Sequence, residues 1–224
     1  ENNPLALSLD LVMRLAIHTH HAAPQPQAVV NLAAPGQAML PGQLYSAGIH
    51  PWATEREIRP EDLDALLAAA RRPQVVAIGE AGIDAVKGGP MFRQINIFRR
   101  QAILAETLRK PLIVHDVKAH GEVLAIFSEL RPTVPWIIHG FRYKPSVARM
   151  FTDKGIYLSF GERFNPAALA AVPRPLLLAE TDESQLTIAA IIAALSAAAG
   201  AELTPFIAAN CPRVLVTEQT GSLI

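Results

Sequence analysis

Cysteine is almost absent from this chain: Cys211 is the only one in 224 residues. An internal disulfide is thereby excluded, and the chain leans towards a reducing, cytoplasmic setting. An excess of either charge is also lacking. Twenty Lys and Arg balance twenty Asp and Glu, for a formal net charge of zero. Strongly basic nucleic-acid binders look different, so any contact with nucleic acid has to come from a local patch. No apolar run approaches the roughly 18 residues of a membrane span, so no membrane partner is expected. No basic segment with an apolar stretch behind it opens the chain, so no signal peptide is expected. Residues 1–12, "ENNPLALSLDLV", share no periodicity with the remainder of the chain and read as a non-core N-terminal segment, with Met13 as an alternative start. No low-complexity linker interrupts residues 13–224, which read as a single domain. No obligate protein partner is evident.

What is abundant is apolar sequence, 50% of the chain, which is globular rather than disordered. It comes in short runs: "RLAIH" (14–18), "AVVNLA" (28–33), "LYSAGIH" (44–50), "VVAIGE" (75–80), "LIVHD" (112–116), "WIIHG" (136–140), "IYLSFG" (156–161) and "LLLAETD" (176–182). Each has the length and near-continuous apolarity of a parallel strand buried on both faces. Helical patterns separate them at 59–72, 91–110, 119–130, 144–155 and 187–200, and one more closes the chain at 203–215. Eight strands with helical crossovers predict a TIM-type (β/α)8 barrel. The connections at 21–27 and 34–43 are too short for a helix, so some crossover helices are expected to be shortened or missing. A doubly wound open sheet is the alternative.

Metal-ligand side chains recur at the carboxyl ends of these runs: His18 and His20, His50, Glu80, His115, His139 and Asp182. In a parallel barrel those ends meet at one mouth, where active sites are built. The two-residue period of a strand puts His18 and His20 of "IHTHH" on one face and turns His21 elsewhere. With no thiolate available, the donors are imidazole and carboxylate, which suit Mg, Mn, Fe or Zn. Four histidines with Glu80 and Asp182 exceed one ordinary catalytic site, so two divalent ions are expected. A pair of ions about 3.5–4 Å apart, bridged by a carboxylate, activates a water and clamps the leaving oxygen.

The order "HTH … GIHPW … AIGEAGID … PLIVHDVKA … IIHGF … LLLAETD", with "AANCPRVL" near the C-terminus, resembles the TatD family of metal-dependent deoxyribonucleases within the amidohydrolase-like barrels. The resemblance runs from about Ile17 to the C-terminus. It implies a bridging Glu80, one ion held by His18, His20, Glu80 and Asp182, and a second held by Glu80, His115 and His139. It also implies hydrolysis of phosphodiester bonds in DNA. The substrate shell departs from the family pattern. Ala16 stands where the family commonly has Asp, and "HDV" replaces the family's "HSR" after the fifth strand. "HGFRYKP" replaces "HCFSG", and "ETDESQL" replaces "ETDxPxL".

The mechanism expected from this constellation uses Asp182 as proton acceptor, with Glu80 holding the ions. His50, matched to the family's "GIHP", faces the substrate and stabilises developing charge. Asp84, Lys118 and Arg142 are further candidates for substrate contact. Trp52 and Phe141 flank the expected mouth and serve either stacking or packing. His21 and Glu183 read as loop residues, His120 as exposed, and Cys211 as a small buried hydrophobe in the last helix. The substrate expected is DNA or another phosphodiester. The alternatives are a small ester, amide or lactone on the same barrel, or a non-catalytic barrel that binds a partner.

Overall fold

A computed structural model describes residues 14–215. The reading of residues 1–12 as a non-core segment lies outside them. Eight parallel strands form a closed barrel in sequential order: β1 (Ala16–Thr19), β2 (Ala28–Asn31), β3 (Leu44–Ala47), β4 (Val75–Asp84), β5 (Leu112–Val117), β6 (Trp136–Ile138), β7 (Tyr157–Phe160) and β8 (Leu177–Ala179). β8 pairs with β1 through Ala179 and Ala16, which closes the ring. The barrel is the expected fold; the open sheet is not.

Around the barrel lie α1 (Pro60–Ala70), α2 (Met91–Leu108), α3 (His120–Leu130), α4 (Pro145–Thr152), α5 (Pro166–Ala171), α6 (Ile188–Ala199) and α7 (Thr204–Leu215). No helix among the described residues is long and apolar enough to cross a membrane. Three pieces escaped the sequence reading: a 3-10 turn at Arg174–Leu176, and two with a common signal, the six-residue α5 and a 3-10 turn at Pro51–Glu55. The latter two begin with a proline after a capping side chain. Asn165 accepts from the N–H groups of Ala167 and Ala168, and His50 accepts from that of Trp52. Such caps are local signals, too short to show as periodicity.

The alternation along the strands divides two cores. Outward side chains such as Leu112, Val114, Trp136, Ile138 and Leu177 pack against the helices. Inward ones, Val29, Ile113, Ile137 and Leu178 among them, fill the barrel and rest on Cys211, Val214 and Leu215 of α7, which forms the floor. Cys211 is fully buried there, and burial pushes its thiol up to about 12.

The β1–β2 and β2–β3 links carry no helix, as their length required. Polar side chains secure them instead. The buried Arg14 guanidinium donates to the carbonyls of Gln25, Pro26 and Gly42. Gln43 accepts from the Gln25 N–H at 2.6 Å and donates to Ala28 O at 2.9 Å. Backbone groups that a crossover helix would leave to itself are thus satisfied by side chains.

Candidate metal centre

Two irregularities of register aim the key side chains. Between Ala16 and Thr19, β1 advances three residues while β2 advances two. The extra residue is a bulge. It lets Ile17 join the barrel interior while His18 also turns inward. β4 repeats the device against β5: Ile78 pairs with Leu112 and Ala81 with Val114. Ile78, Ala81 and Ile83 face the helices, so the bulge at Gly79–Glu80 leaves Glu80, Gly82 and Asp84 on the inside. The inward line is then "E-x-G-x-D".

Glu80 stands at the centre, 2% exposed, with a different imidazole set on each oxygen. Its Oε2 is 3.0 Å from His20 Nε2 and 3.4 Å from His18 Nε2. Its Oε1 is 2.6 Å from His115 Nδ1, 2.7 Å from His139 Nε2 and 3.0 Å from His50 Nε2. Asp182 Oδ1 completes the first side, 3.9 Å from His18 and 3.7 Å from His20. Asp182 is 40% exposed, at the mouth. Its backbone has φ +50°, a left-handed conformation that Asp tolerates better than most residues. Hydrogen bonds to its carbonyl from the His20 N–H (3.0 Å) and the Thr19 hydroxyl (3.2 Å) hold it there.

The electrostatics follow from burial of one carboxylate among imidazoles. Burial raises the Glu80 pKa, but the charge on His139 and hydrogen bonds from His115, His139 and His18 outweigh it and hold the group well below its ordinary value. For His139, burial disfavours the proton, while Glu80 and Glu180 more than reverse this and raise its pKa well above 6.5. His20 is raised chiefly by its hydrogen bond to Glu80. A proton on these rings occupies the lone pair a cation needs, so protons and metal compete. The sign is set by the raised values: metal affinity falls as pH drops through them, and loading is still incomplete at the ordinary imidazole pKa near 6.5. Equilibrium metal binding from pH 5.5 to 8.5 is expected to climb steadily. A flat profile contradicts it.

The donor set fits divalent cations. Ring nitrogens face one another at 3.2 Å (His18–His20) and 3.3 Å (His115–His139), with no thiol nearby. Among the described residues, three combinations of candidate ligand atoms lie within one ion's reach: His18, His20 and Glu80; His18, His139 and Asp182; and His50, Glu80 and His115. His50, expected to face substrate, therefore sits inside the ligand cluster as well.

A second ring of contacts orients the first. Asp84 Oδ2 is 3.3 Å from His115 Nε2 and accepts from Trp52 Nε1 at 2.8 Å. Burial works to raise the Asp84 pKa, but those bonds and the N–H groups of Val86 and Lys87 lower it overall. Two buried glutamines of α2, seven residues apart and so on one face, act as backbone partners. Gln94 pairs with both the N–H and C=O of Asp84, and Gln101 with those of Ile49, beside His50.

Besides these glutamines, sequence reasoning missed Glu180 and Asn31. Glu180 is fully buried, its Oε1 3.4 Å from His139 Nδ1 and accepting the Gly140 N–H at 2.7 Å. It was hidden beside the more conspicuous Asp182. Asn31 ends β2, and its Oδ1 accepts the Glu80 N–H at 2.9 Å and the Ser46 hydroxyl at 3.1 Å. A polar residue inside "AVVNLA" was the available signal. Removing such an outer partner typically costs 10–100-fold in metal affinity. Asn31→Ala is therefore expected to weaken metal binding roughly 10-fold with the fold intact, measured by titration calorimetry alongside circular dichroism.

The remaining candidates are scattered. Lys118 and Arg142 are exposed in the links after β5 and β6. Trp52 is 42% exposed at the rim, whereas Phe141 is fully buried against Phe151 and Phe160, so it packs. His120 is not exposed as expected: its Nδ1 bonds Asp116 and its ring meets Tyr143 edge-on at 4.4 Å. The strand alternation points Asp116 outward, into the helix layer, where it recruits His120. His21 is half-buried rather than solvated, with Nε2 2.6 Å from Ser184 O. Glu183 is exposed.

Fold and site define a class: an eight-stranded α/β barrel with imidazoles and carboxylates gathered at its carboxyl mouth. Within that class the chain belongs to the TatD-related DNase family, whose model matches residues 11–188. It is 31% identical over 176 residues to the 3'-5' ssDNA/RNA exonuclease TatD of Citrobacter koseri, covering 70% of this chain and 65% of that one. It is 32% identical over 153 residues to the uncharacterized metal-dependent hydrolase YcfH of Escherichia coli, covering 64% and 56%. The chain thus spans less than two thirds of these curated relatives. Among solved structures, the TatD homolog YJJV of Escherichia coli superposes with TM-score 0.77 at 19% identity, covering 92% of this chain and 98% of that one. A TatD family hydrolase from Entamoeba histolytica gives 0.72 at 17%, covering 92% and 89%.

Proposed function

We propose that this chain is a metal-dependent phosphodiesterase acting on single-stranded nucleic acid. The observation that carries the reading is the split of imidazoles across Glu80: His18 and His20 on Oε2, and His50, His115 and His139 on Oε1. One carboxylate with a donor set on each oxygen suits a bridged pair of divalent ions, Mg, Mn or Zn. Asp182 belongs with His18 and His20. Divalent ions at this site supply Lewis-acid stabilisation of charge on the scissile group and acidify water.

The chain's own groups do the rest. Asp182, open to solvent at the mouth, accepts the proton of the attacking water. His50 serves both the ligand cluster and the reacting group. Asp84 fixes the His115 ring and, through Trp52, the wall beside it. Lys118 and Arg142 offer charge to a phosphate oxygen. The names of the Citrobacter and Escherichia coli relatives agree with this chemistry.

The test is metal analysis of the purified chain, then labelled single-stranded DNA and RNA with added magnesium or manganese. Expected is a pair of bound ions and progressive shortening of the oligonucleotide, abolished by EDTA. A fully loaded site that leaves both polymers and a generic phosphodiester intact, while cleaving a small ester or lactone, overturns the reading.

A further inference from the structure

The chain is neutral overall, yet its charge is not spread evenly around the mouth. The links leaving β4, β5, β6 and β7 carry Lys87, Lys118, Arg142, Lys144 and Arg163, all exposed. Their one acidic residue, Glu162, accepts the Ser184 hydroxyl at 2.7 Å. The links leaving β1 and β2, residues 20–27 and 32–43, contain no Lys, Arg, Asp or Glu. The link leaving β8 adds only acid, Asp182 and Glu183, beside buried Glu180. The link leaving β3 balances Glu55 and Glu57 against Arg56 and Arg59. The β4–β7 part of the rim is therefore basic, and the rest neutral to acidic.

Ion pairing does not account for these cations. Elsewhere, Arg56 and Arg59 pair with Asp62, and Arg99 pairs with Glu129. Arg71, Arg109 and Arg131 cap the C-termini of α1, α2 and α3, where the helix dipole favours positive charge. The rim cations make no ion pair among the described residues, and most stand at the opposite helix ends. Lys87 precedes α2, Lys118 precedes α3, and Arg142 and Lys144 precede α4. Positive charge at a helix N-terminus is unfavourable, and the free N–H groups there favour an anion. Cations and helix ends on this half-rim thus call for the same kind of ligand.

The half-rim is also joined to the metal centre. The Lys87 ammonium lies 3.4 Å over the Trp52 ring, whose N–H bonds Asp84, which touches His115. The links after β5 and β6 are tied together, because Tyr143 accepts the Lys118 N–H at 3.2 Å and donates to Asp116 O at 3.1 Å. Since β4, β5, β6 and β7 are consecutive neighbours in the barrel, the charges occupy successive positions along one arc of the rim.

We infer that the arc of Lys87, Lys118, Arg142, Lys144 and Arg163 is the track along which a single-stranded phosphodiester chain enters, leaving the β1–β2 half of the rim free of backbone phosphates. This inference rests on the phosphodiesterase reading and gives it a direction: the strand lies on one side of the reacting phosphate.

The probe is a fluorescein-labelled single-stranded 20-mer, as DNA and as RNA, bound to the whole chain in EDTA so that binding is separated from turnover. Affinity is read by anisotropy across a salt series. Each neutralised phosphate contributes roughly 0.7 to the slope of log K against log salt. The triple variant Lys87→Gln, Arg142→Gln, Arg163→Gln is therefore expected to lower that slope by about 2 and to weaken binding at least 10-fold at low salt. Arg99→Gln, on the outer face of α2, is the control and leaves both unchanged. DNA and RNA respond alike if the backbone is what is read. A triple variant with the parent slope and affinity overturns the track, as does parent binding that is insensitive to salt. Loss of the track with oligonucleotide hydrolysis intact leaves the phosphodiesterase reading standing. Intact, salt-dependent binding without hydrolysis in any metal sinks that reading and keeps the track.

Discussion

Glu80→Ala is expected to leave the protein without bound metal and to lower turnover by more than the 10–100-fold typical of an outer-shell partner, on the order of 10^3-fold. Glu80 alone touches every imidazole of the cluster, two on one oxygen and three on the other. No neighbour can replace it: Asp182 stands within one ion's reach of His18, His20 and His139 but pairs with neither His50 nor His115, and Asp84 contacts His115 from the ring's far nitrogen. Folding responds differently. The carboxylate and the protons on His139 and His20 stabilise one another, and removing the anion lets those rings become neutral. The variant should therefore fold and remain apo. Glu80→Gln preserves the shape and removes the charge, and should behave the same way. Inductively coupled plasma analysis of both variants, with thermal melting as the folding control, decides the matter. Full metal occupancy in either one contradicts the central role given to Glu80.

Gly82→Ala is expected to produce the largest structural loss of any single methyl addition near the site. A Cβ at Gly82 would stand 1.9 Å from the carbonyl oxygen of His115 and 2.7 Å from its carbonyl carbon. Both atoms are backbone, in the strand pair that carries the ligands, so no side chain can swing aside. β4 and β5 must separate where Gly82 pairs with His115. Overpacking of this kind costs about 3 kcal/mol or more, a fall of roughly 10 °C in melting temperature for a chain of this size. His115 would leave Glu80 with it, so metal affinity should drop together with stability. A Gly82→Ala protein that melts with the parent and binds metal normally would show that the two strands are loosely joined at this point.

The barrel was legible because the eight apolar runs are near-continuous and the polar exceptions fall at their ends. Even the missing crossover helices could be read, since 21–27 and 34–43 are simply too short. What the sequence did not display were contacts decided by three-dimensional direction. A strand period of two put His18 and His20 on one face, yet the bulges that turn His18 and Glu80 inward are invisible in a period. Glu180 and Asn31 act through atoms on other strands, and nothing in their neighbours signals it. His120 looked exposed from its place at a helix start, but Asp116 on the preceding strand reaches it. The Ser and Arg of the family's "HSR" are absent here, and the Asp in their place does structural work in the helix layer instead.

The two bare links bear on how the molecule breathes. β1 and β2 are four residues long and lack helical cover between them, whereas β4 is ten residues long, pairs with β5 from Ile78 to Asp84 and is backed by α1 and α2. Opening fluctuations should therefore start at β1 and β2, because few apolar contacts are lost there. Yet β1 supplies His18 and His20, while β4, β5 and β6 supply Glu80, His115 and His139. Ions held by these residues would fasten β1 to the long β4–β5 pair, like a clasp across a hinge. Metal occupancy and the integrity of that sector would then be a single equilibrium, with ion availability setting how often the wall beside the mouth comes open.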